Sequence, residues 1–254
     1  MRCASLPFTG LFDSGLPLVI AHRGASGDAP ENTMAAFELA VDQGADVVEL
    51  DVHLTLDGHP IVFHDDLLDR TTNAKGLVRG KTLAQIQELD AGGWFGRRYL
   101  GEHIPTLDEV VQWAAGKVAL AIEVKNVPHR YSGIEASVTG VLERTGTILE
   151  NEVFSFDHLS VQRFKFREPR LLTGVCYRGD VVDHKALAIA AHATVLHPGL
   201  FDIRSEAIRD IHAAGLVVFP WTVNTAQDID VMALLGVDGI TTNYPALARR
   251  IVGN

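Results

Sequence analysis

Charged side chains follow several short apolar runs in this sequence, where strands are expected to end. Glu49 and Asp51 are two residues apart in one run, and Glu123 and Lys125 repeat that spacing further along. Alternate residues of a strand point to the same side, so each pair is predicted to share a face. Three carboxylates beside one ammonium suit a hard divalent ion such as Mg²⁺ or Ca²⁺. A structural ion-pair network of Lys125 with these acids is the alternative interpretation.

Two histidines stand at comparable positions beside these acids. His22 ends the first apolar run and His64 follows another, and an imidazole suits proton transfer near neutral pH. Arg23 and Lys125 add positive charge at the same places, either to neutralise the acids or to hold an anion such as phosphate. Trp221, at the end of a later run, is either a core aromatic or an apolar wall of a pocket.

The runs that position these residues are short, apolar and separated by helical patterns. Such continuous Val, Ile and Leu runs are typical of parallel strands covered by helices. The eight predicted strands are Leu18–His22, Val47–His53, Val118–Val124, Glu152–Phe156, Leu171–Cys176, Ala193–His197, Val217–Trp221 and Asp238–Thr242. Eight strand–helix units in about 250 residues predict an α/β fold of the (β/α)8 TIM-barrel type, with active-site residues at the carboxyl ends of the strands. A doubly wound open sheet is the alternative.

One stretch interrupts this alternation. Residues 65–103 are too long for a plain connection, and they predict a small ordered insertion after the second strand. A helix is expected to begin directly after it, because Thr106 and Glu109 have the spacing of a capping box. Residues 1–254 are interpreted as one domain that includes this insertion.

Composition excludes several classes of protein. The 254 residues carry a formal charge of −10, which argues against nucleic acid and against anionic membrane surfaces as partners. The first 17 residues lack the apolar run of a signal peptide, and no apolar stretch is long enough to cross a membrane.

Cys3 and Cys176 are predicted to be free thiols of a reducing compartment, so the expected location is the cytoplasm. Oligomeric state cannot be inferred from the sequence.

An ordered series of short motifs over nearly the whole chain resembles the glycerophosphodiester phosphodiesterase family. The motifs are His22-Arg23-Gly24, Glu31-Asn32-Thr33 with Ala36-Phe37, Gly44-Ala45-Asp46, Glu49-Leu50-Asp51-Val52, Thr55 with Asp57-Gly58, His64-Asp65 with Leu68, Arg70, Thr71 and Thr72, Asp90-Ala91-Gly92, Ile104-Pro105-Thr106-Leu107, Glu123-Val124-Lys125, Trp221-Thr222-Val223-Asn224 and Asp238-Gly239-Ile240. Each motif is short, but the ordered set is highly specific.

The resemblance implies a TIM barrel that hydrolyses glycerophosphodiesters, such as glycerophosphocholine or glycerophosphoethanolamine, to glycerol 3-phosphate and an alcohol. It implies a divalent metal ion (Mg²⁺ or Ca²⁺, with Mn²⁺ as a further option). The implied roles are metal ligation by Glu49, Asp51 and Glu123, acid–base catalysis by His22 and His64, phosphate binding by Arg23 and Lys125, and pocket lining by Phe156 and Trp221.

Several alternatives stay open. In related enzymes the nucleophile is often a hydroxyl of the substrate's own glycerol, and direct attack by water is the other route. Lysophospholipids are alternative substrates, because Trp94, Phe95 and Tyr99 of the insertion could contact an acyl chain. A catalytically silent binding protein is a third interpretation. Asn243 stands where the family often has Asp, which affects only the rim near the last strand.

Overall fold

The sheet of this protein is a parallel barrel. The computed structural model describes residues 8–253 except for the side chains of residues 13 and 14, so Cys3 lies outside the described residues. The barrel strands are β1 (Leu18–Ala21), β2 (Val47–Leu54), β4 (Ala119–Val124), β5 (Asn151–Ser155), β6 (Leu172–Tyr177), β7 (Val195–Pro198), β8 (Val217–Val218) and β9 (Gly239–Thr242). The remaining strand, β3 (Pro60–Val62), lies outside the barrel and pairs antiparallel with β2.

The strand order around the barrel is β8-β7-β6-β5-β4-β2-β1-β9. Two backbone hydrogen bonds close the gap between its ends: Asp238 N–H donates to Val218 O at 3.1 Å, and Thr241 N–H donates to Pro220 O at 3.1 Å. The predicted (β/α)8 barrel is therefore confirmed, and the alternative of a doubly wound open sheet is wrong.

Helices cover the outside of the barrel and return the chain from one strand to the next. They are α1 (Met34–Asp42), α3 (Leu107–Ala114), α4 (Ile134–Thr145), α5 (His158–Arg167), α6 (His184–Ala191), α7 (Ser205–Ala213), α8 (Ala226–Leu235) and α9 (Pro245–Val252), while α2 (Leu83–Gln87) lies between β3 and α3. The predicted capping box begins α3, since Thr106 Oγ1 accepts from Glu109 N–H and Glu109 Oε2 accepts from Thr106 N–H. None of the helices in the described part of the chain is long and apolar enough to cross a bilayer.

The amino-terminal mouth of the barrel is filled by a short 3-10 helix at Phe8–Ser14. Phe8 is fully buried, and its ring packs against those of Phe12 and Phe219. This apolar packing closes one end of the barrel interior, so the opposite end, where the strands terminate, is left for polar side chains.

The segment between β3 and α3 is ordered and has a small core of its own. Leu68, Val78 and Ile86 are completely buried within it, together with Ile61 of β3. The ring of Phe95 contacts those of Trp94 and Tyr99 edge-to-face, with ring centroids 5.5 and 5.7 Å apart. The Tyr99 hydroxyl also donates to the Asp28 carbonyl, so this cluster connects the segment to the loop between β1 and α1.

Candidate active site

Three carboxylates meet where β2 and β4 run side by side. Asp51 is directly paired with Glu123 across the two strands, and Glu49 lies two residues before Asp51 on the same face. All three side chains are almost fully buried, and each offers an oxygen within 4.8 Å of the others. The structure thus brings together the three residues that the sequence predicts as metal ligands.

The chemistry of these carboxylates fits a divalent cation. Burial, together with the charges of Asp51 and Glu123, raises the pKa of Glu49 well above its usual value. A bound cation would relieve this repulsion among the three groups. All three donors are carboxylate oxygens, which are the ligands that Mg²⁺ and Ca²⁺ prefer, whereas a zinc site usually includes Cys or His.

Two basic side chains compensate the acids in the same place. Lys125 Nζ lies 2.8 Å from Asp51 Oδ1 and 2.5 Å from Glu123 Oε1. Burial alone would lower the pKa of Lys125, but these two carboxylates raise it above its usual value, so the ammonium stays charged. Burial likewise opposes ionisation of Asp51, yet Lys125 and Arg23 hold its pKa well below the usual range. The ion-pair network that the sequence offered as an alternative therefore coexists with the carboxylate cluster.

Arg23 contacts the cluster through both its backbone and its side chain. Its φ of 57° is left-handed, and its N–H donates to Glu49 Oε2 at 2.7 Å. The guanidinium Nε lies 3.2 Å from Asp51 Oδ2, and Nη1 donates to Glu31 at 2.9 Å. Arg23 is also one of the residues that line the cavity, together with Glu49 and Glu123.

His22 extends from the end of β1 and has an uncharged partner. Its Nδ1 lies 2.7 Å from Asn243 Oδ1, and Asn224 in turn accepts a hydrogen bond from the Asn243 backbone. An amide oxygen only accepts hydrogen bonds, so Nδ1 carries the proton and the lone pair is on Nε2. Burial, reinforced by the charge of Arg23, lowers the pKa of His22 to about 3, so the imidazole is neutral near pH 7.

His64 has an anionic partner instead. Its Nδ1 lies 2.6 Å from Asp65 Oδ1, and Arg70 Nε donates to the other oxygen of Asp65 at 2.7 Å. Arg70 also donates to both carboxylate oxygens of Glu31, which connects this segment to Arg23. Burial would raise the pKa of Asp65, but its hydrogen bonds to His64 and Arg70 keep it below the usual range.

The backbone of His64 is held by two residues that the sequence analysis did not single out. His53 Nε2 lies 2.9 Å from the His64 carbonyl oxygen, and His53 Nδ1 lies 2.8 Å from the Tyr131 hydroxyl. Because a carbonyl only accepts, Nε2 carries the proton and the Tyr131 hydroxyl donates to Nδ1. The His53 ring is buried, and that burial lowers its pKa.

The polar groups surround a small cavity of about 70 Å³. Eight of the nine predicted site residues line it, namely His22, Arg23, Glu49, His64, Glu123, Lys125, Phe156 and Trp221, and the ninth, Asp51, is fully buried beside Glu123. Trp221 and Phe156 meet edge-to-face at 5.6 Å, and Trp221 Nε1 donates to the His197 carbonyl. Trp221 thus lines the cavity and is also partly buried against the core inside the barrel.

Two further contacts correct or extend the sequence interpretation. Asn243 does not affect only the rim, since it is the hydrogen-bond partner of His22. Asn32 donates to Asp51 Oδ2 at 2.8 Å, so it orients one of the carboxylates. The Glu31-Asn32-Thr33 motif was the available signal for Asn32, whereas His53 and Tyr131 belong to no motif in the series.

Comparisons with known proteins agree with this architecture. The profile of the glycerophosphoryl diester phosphodiesterase family matches residues 22–247. A glycerophosphodiester phosphodiesterase from Caldanaerobacter subterraneus is 42% identical over 229 residues, which is 90% of this chain and 94% of that protein.

Solved structures from two bacteria share the fold over nearly the whole chain. An Oleispira antarctica phosphodiesterase in complex with the product sn-glycerol-3-phosphate superposes with a TM-score of 0.87 and 33% identity, over 95% of this chain and 98% of that one. A glycerophosphodiester phosphodiesterase from Agrobacterium tumefaciens superposes with a TM-score of 0.82 and 31% identity, over 92% of this chain and 100% of that one. This chain therefore belongs to the glycerophosphoryl diester phosphodiesterase family of enzymes.

Proposed function

We propose that this enzyme hydrolyses glycerophosphodiesters, such as glycerophosphocholine or glycerophosphoethanolamine, to glycerol 3-phosphate and the alcohol. The observation that carries the proposal is the contrast between two imidazoles that line one cavity beside three carboxylates. His22 Nδ1 is bonded to a neutral amide, whereas His64 Nδ1 is bonded to a carboxylate. Two titratable groups in opposite environments are what acid–base catalysis requires.

The environments favour His22 as the base and His64 as the acid. His22 is neutral with its lone pair on Nε2, so it can accept the proton of the attacking hydroxyl. Asp65 can compensate the positive charge of a protonated His64, whose Nε2–H can then be given to the leaving alkoxide. The favoured nucleophile is the 2-hydroxyl of the glycerol moiety, which forms a cyclic phosphate that water subsequently opens. Direct attack by water is the other route.

The phosphate is proposed to bind to Arg23 and Lys125. Both side chains line the small cavity, and charge that develops on the phosphoryl oxygens would be stabilised by them. Glu49, Asp51 and Glu123 are proposed to hold a divalent ion (Mg²⁺ or Ca²⁺, with Mn²⁺ as a further option), which would supply Lewis-acid stabilisation of the same charge. Phe156 and Trp221 form the apolar wall of the pocket.

The acid and base roles can be separated by a choice of leaving group. Release of glycerol 3-phosphate from glycerophosphocholine is expected to fall by about 10²- to 10⁴-fold in both His22→Ala and His64→Ala. With a 4-nitrophenyl diester, whose leaving group needs no protonation, His64→Ala should regain most of its turnover and His22→Ala should not. His103→Ala, which removes an exposed imidazole, is the matched control. Near-normal turnover in both variants, or equal recovery of both, contradicts the assignment.

The three aromatic residues of the insertion do not favour the lysophospholipid alternative. Trp94 and Tyr99 each contact Phe95, and the Tyr99 hydroxyl donates to the Asp28 carbonyl.

We also propose that residues 1–254 act as one domain in the cytoplasm. Buried Cys176 is a free thiol, which supports a reducing compartment. Recovery of the protein outside the cytoplasm after cell fractionation would contradict this location.

A further inference from the structure

A second cavity of about 610 Å³ opens beside the small one and shares His64, Glu123, Lys125 and Phe156 with it. Its other walls come from the segment after β3 and the loop after β4, and we call it the outer groove. If His64 protonates the leaving oxygen, as the proposed function states, the departing alcohol lies next to His64. The outer groove is then the space into which that alcohol extends.

Several walls of the outer groove are apolar and open to solvent. Leu67 is 48% exposed, Val127 is 42% exposed, and Pro128 lies next to Val127. Phe156 adds an aromatic surface where the groove joins the small cavity. These side chains offer no hydrogen-bonding groups, so they suit a ligand with methyl or methylene groups at its surface.

The groove also contains one carboxylate that lacks a close partner. Glu123 is paired with Lys125, and Asp65 is bonded to His64 and Arg70. In contrast, the Asp66 carboxylate accepts no side-chain or backbone hydrogen bond within the described part of the chain, and His129 Nε2 lies 4.0 Å from its Oδ2. Asp66 lines the groove between Asp65 and Leu67. Burial and then the negative charge of Asp66 raise the pKa of Tyr131 to about 12.

We propose that the outer groove binds the alcohol moiety of the diester and that Asp66 selects alcohols that carry a quaternary ammonium group, such as choline. A quaternary ammonium is positively charged but covered by methyl groups, so it needs no hydrogen-bond acceptors. Apolar walls, the aromatic ring of Phe156 and one nearby carboxylate provide contact, cation–π attraction and charge compensation.

The test compares glycerophosphocholine with the glycerophosphodiester of 3,3-dimethylbutan-1-ol, in which a carbon replaces the nitrogen. The two alcohols have the same shape and differ in charge. Choline is intrinsically the better leaving group, so the readout is the change in the ratio of the two kcat/KM values rather than the ratio itself. Asp66→Asn is expected to lower that ratio by about two- to fivefold, in line with the loss of one exposed charge pair.

Two variants and one inhibition experiment make the result interpretable. Asp66→Glu should keep most of the ratio, and Asp42→Asn should leave it unchanged because Asp42 is exposed at the far end of α1. With the wild-type enzyme, choline should inhibit at about three- to tenfold lower concentration than 3,3-dimethylbutan-1-ol. An unchanged ratio in a folded Asp66→Asn variant, or equal inhibition by both alcohols, overturns the proposal. Failure to hydrolyse either diester would instead contradict the proposed function.

Discussion

Asn243 decides which nitrogen of the His22 imidazole is free. Its Oδ1 accepts from Nδ1, so the lone pair on Nε2 is available for a proton. Asn243→Leu removes this partner, and kcat is expected to fall by about 10- to 100-fold through loss of the orientation of the base. Normal kcat in Asn243→Leu would show that His22 needs no such partner.

Asn243→Asp has a different expected outcome, because it places a carboxylate on Nδ1. A negative charge stabilises the imidazolium and raises the pKa of His22 from its value of about 3. The base is unprotonated only above its pKa, so the acidic limb of the kcat/KM profile should move to higher pH while the plateau activity is retained. Profiles measured between about pH 4 and 8 check this, and superimposable profiles would contradict it.

Tyr131 is predicted to position His64 through His53. Tyr131→Phe deletes one hydroxyl, and loss of that hydrogen bond should lower kcat by about two- to tenfold with little change in KM. Tyr177→Phe is the matched control, because its hydroxyl bonds to His184 at the start of α6. The expectation fails if both variants lose the same activity, or if Tyr131→Phe changes KM alone.

The charged residues could be found from sequence, whereas several of their partners could not. Glu49 and Asp51 are two residues apart in one apolar run, and Glu123 and Lys125 have the same spacing at the end of another. The sequence therefore predicts the strand of each residue and the face that each pair shares. Asn243 is 221 positions away from His22, and Tyr131 is 78 positions away from His53. Each of these is an ordinary polar residue until barrel closure or a loop conformation brings it to a histidine.

The sequence predicts the bounds of some strands more accurately than those of others. Parallel strands covered by helices are continuous apolar runs, which made seven of the barrel strands recognisable to within a few residues. In the run Val217–Trp221 the regular strand instead ends at Val218. The N–H groups of Phe219 and Trp221 still donate to β7, at the carbonyls of Leu196 and Pro198, and Trp221 forms an isolated bridge to Gly199. The antiparallel pairing of β3 with β2 has no periodic signal in three residues.

Arg70 ties the segment after β3 to the connection between β1 and α1. It donates to Asp65 on one side and Glu31 on the other. Burial would raise the pKa of both carboxyls, but Arg70 lowers it, together with Arg23 at Glu31 and with His64 at Asp65. A carboxyl with a depressed pKa in the folded state stabilises the protein above its unfolded pKa of about 4, and this contribution is lost as the pH falls through the folded value.

Replacing Arg70 should therefore destabilise the protein in a pH-dependent manner. Arg70→Ala is expected to lower Tm by a few degrees at neutral pH, with a smaller difference below about pH 4. The half-exposed guanidinium limits the size of this effect. Arg97→Ala, an exposed arginine of the same segment, should change Tm little at any pH. A difference that is independent of pH would mean that the ion pairs do not provide the stability.

At the scale of the whole molecule, a formal charge of −10 coexists with a site built for an anionic substrate. Net charge is screened over about 8–10 Å at physiological salt, so it says little about the field inside a cavity. Within that cavity, Arg23 and Lys125 lie among Glu49, Asp51 and Glu123, so the local charge depends on whether a cation is bound. The net charge of the chain is therefore no argument against a phosphodiester substrate.

Cation binding should also stabilise the whole fold, because the carboxylates repel each other when no cation is present. A ligand that binds only the folded state adds about 2.7 kcal/mol at a hundred times its Kd, so Mg²⁺ or Ca²⁺ should raise Tm by several degrees and EDTA should reverse it. Glu123→Gln should abolish this rise and Asp42→Asn should retain it. The rise should shrink as the pH falls, since the ligands must be deprotonated and the pKa of Glu49 lies well above its usual value. A Tm that responds equally to NaCl at matched ionic strength would rule out a specific site.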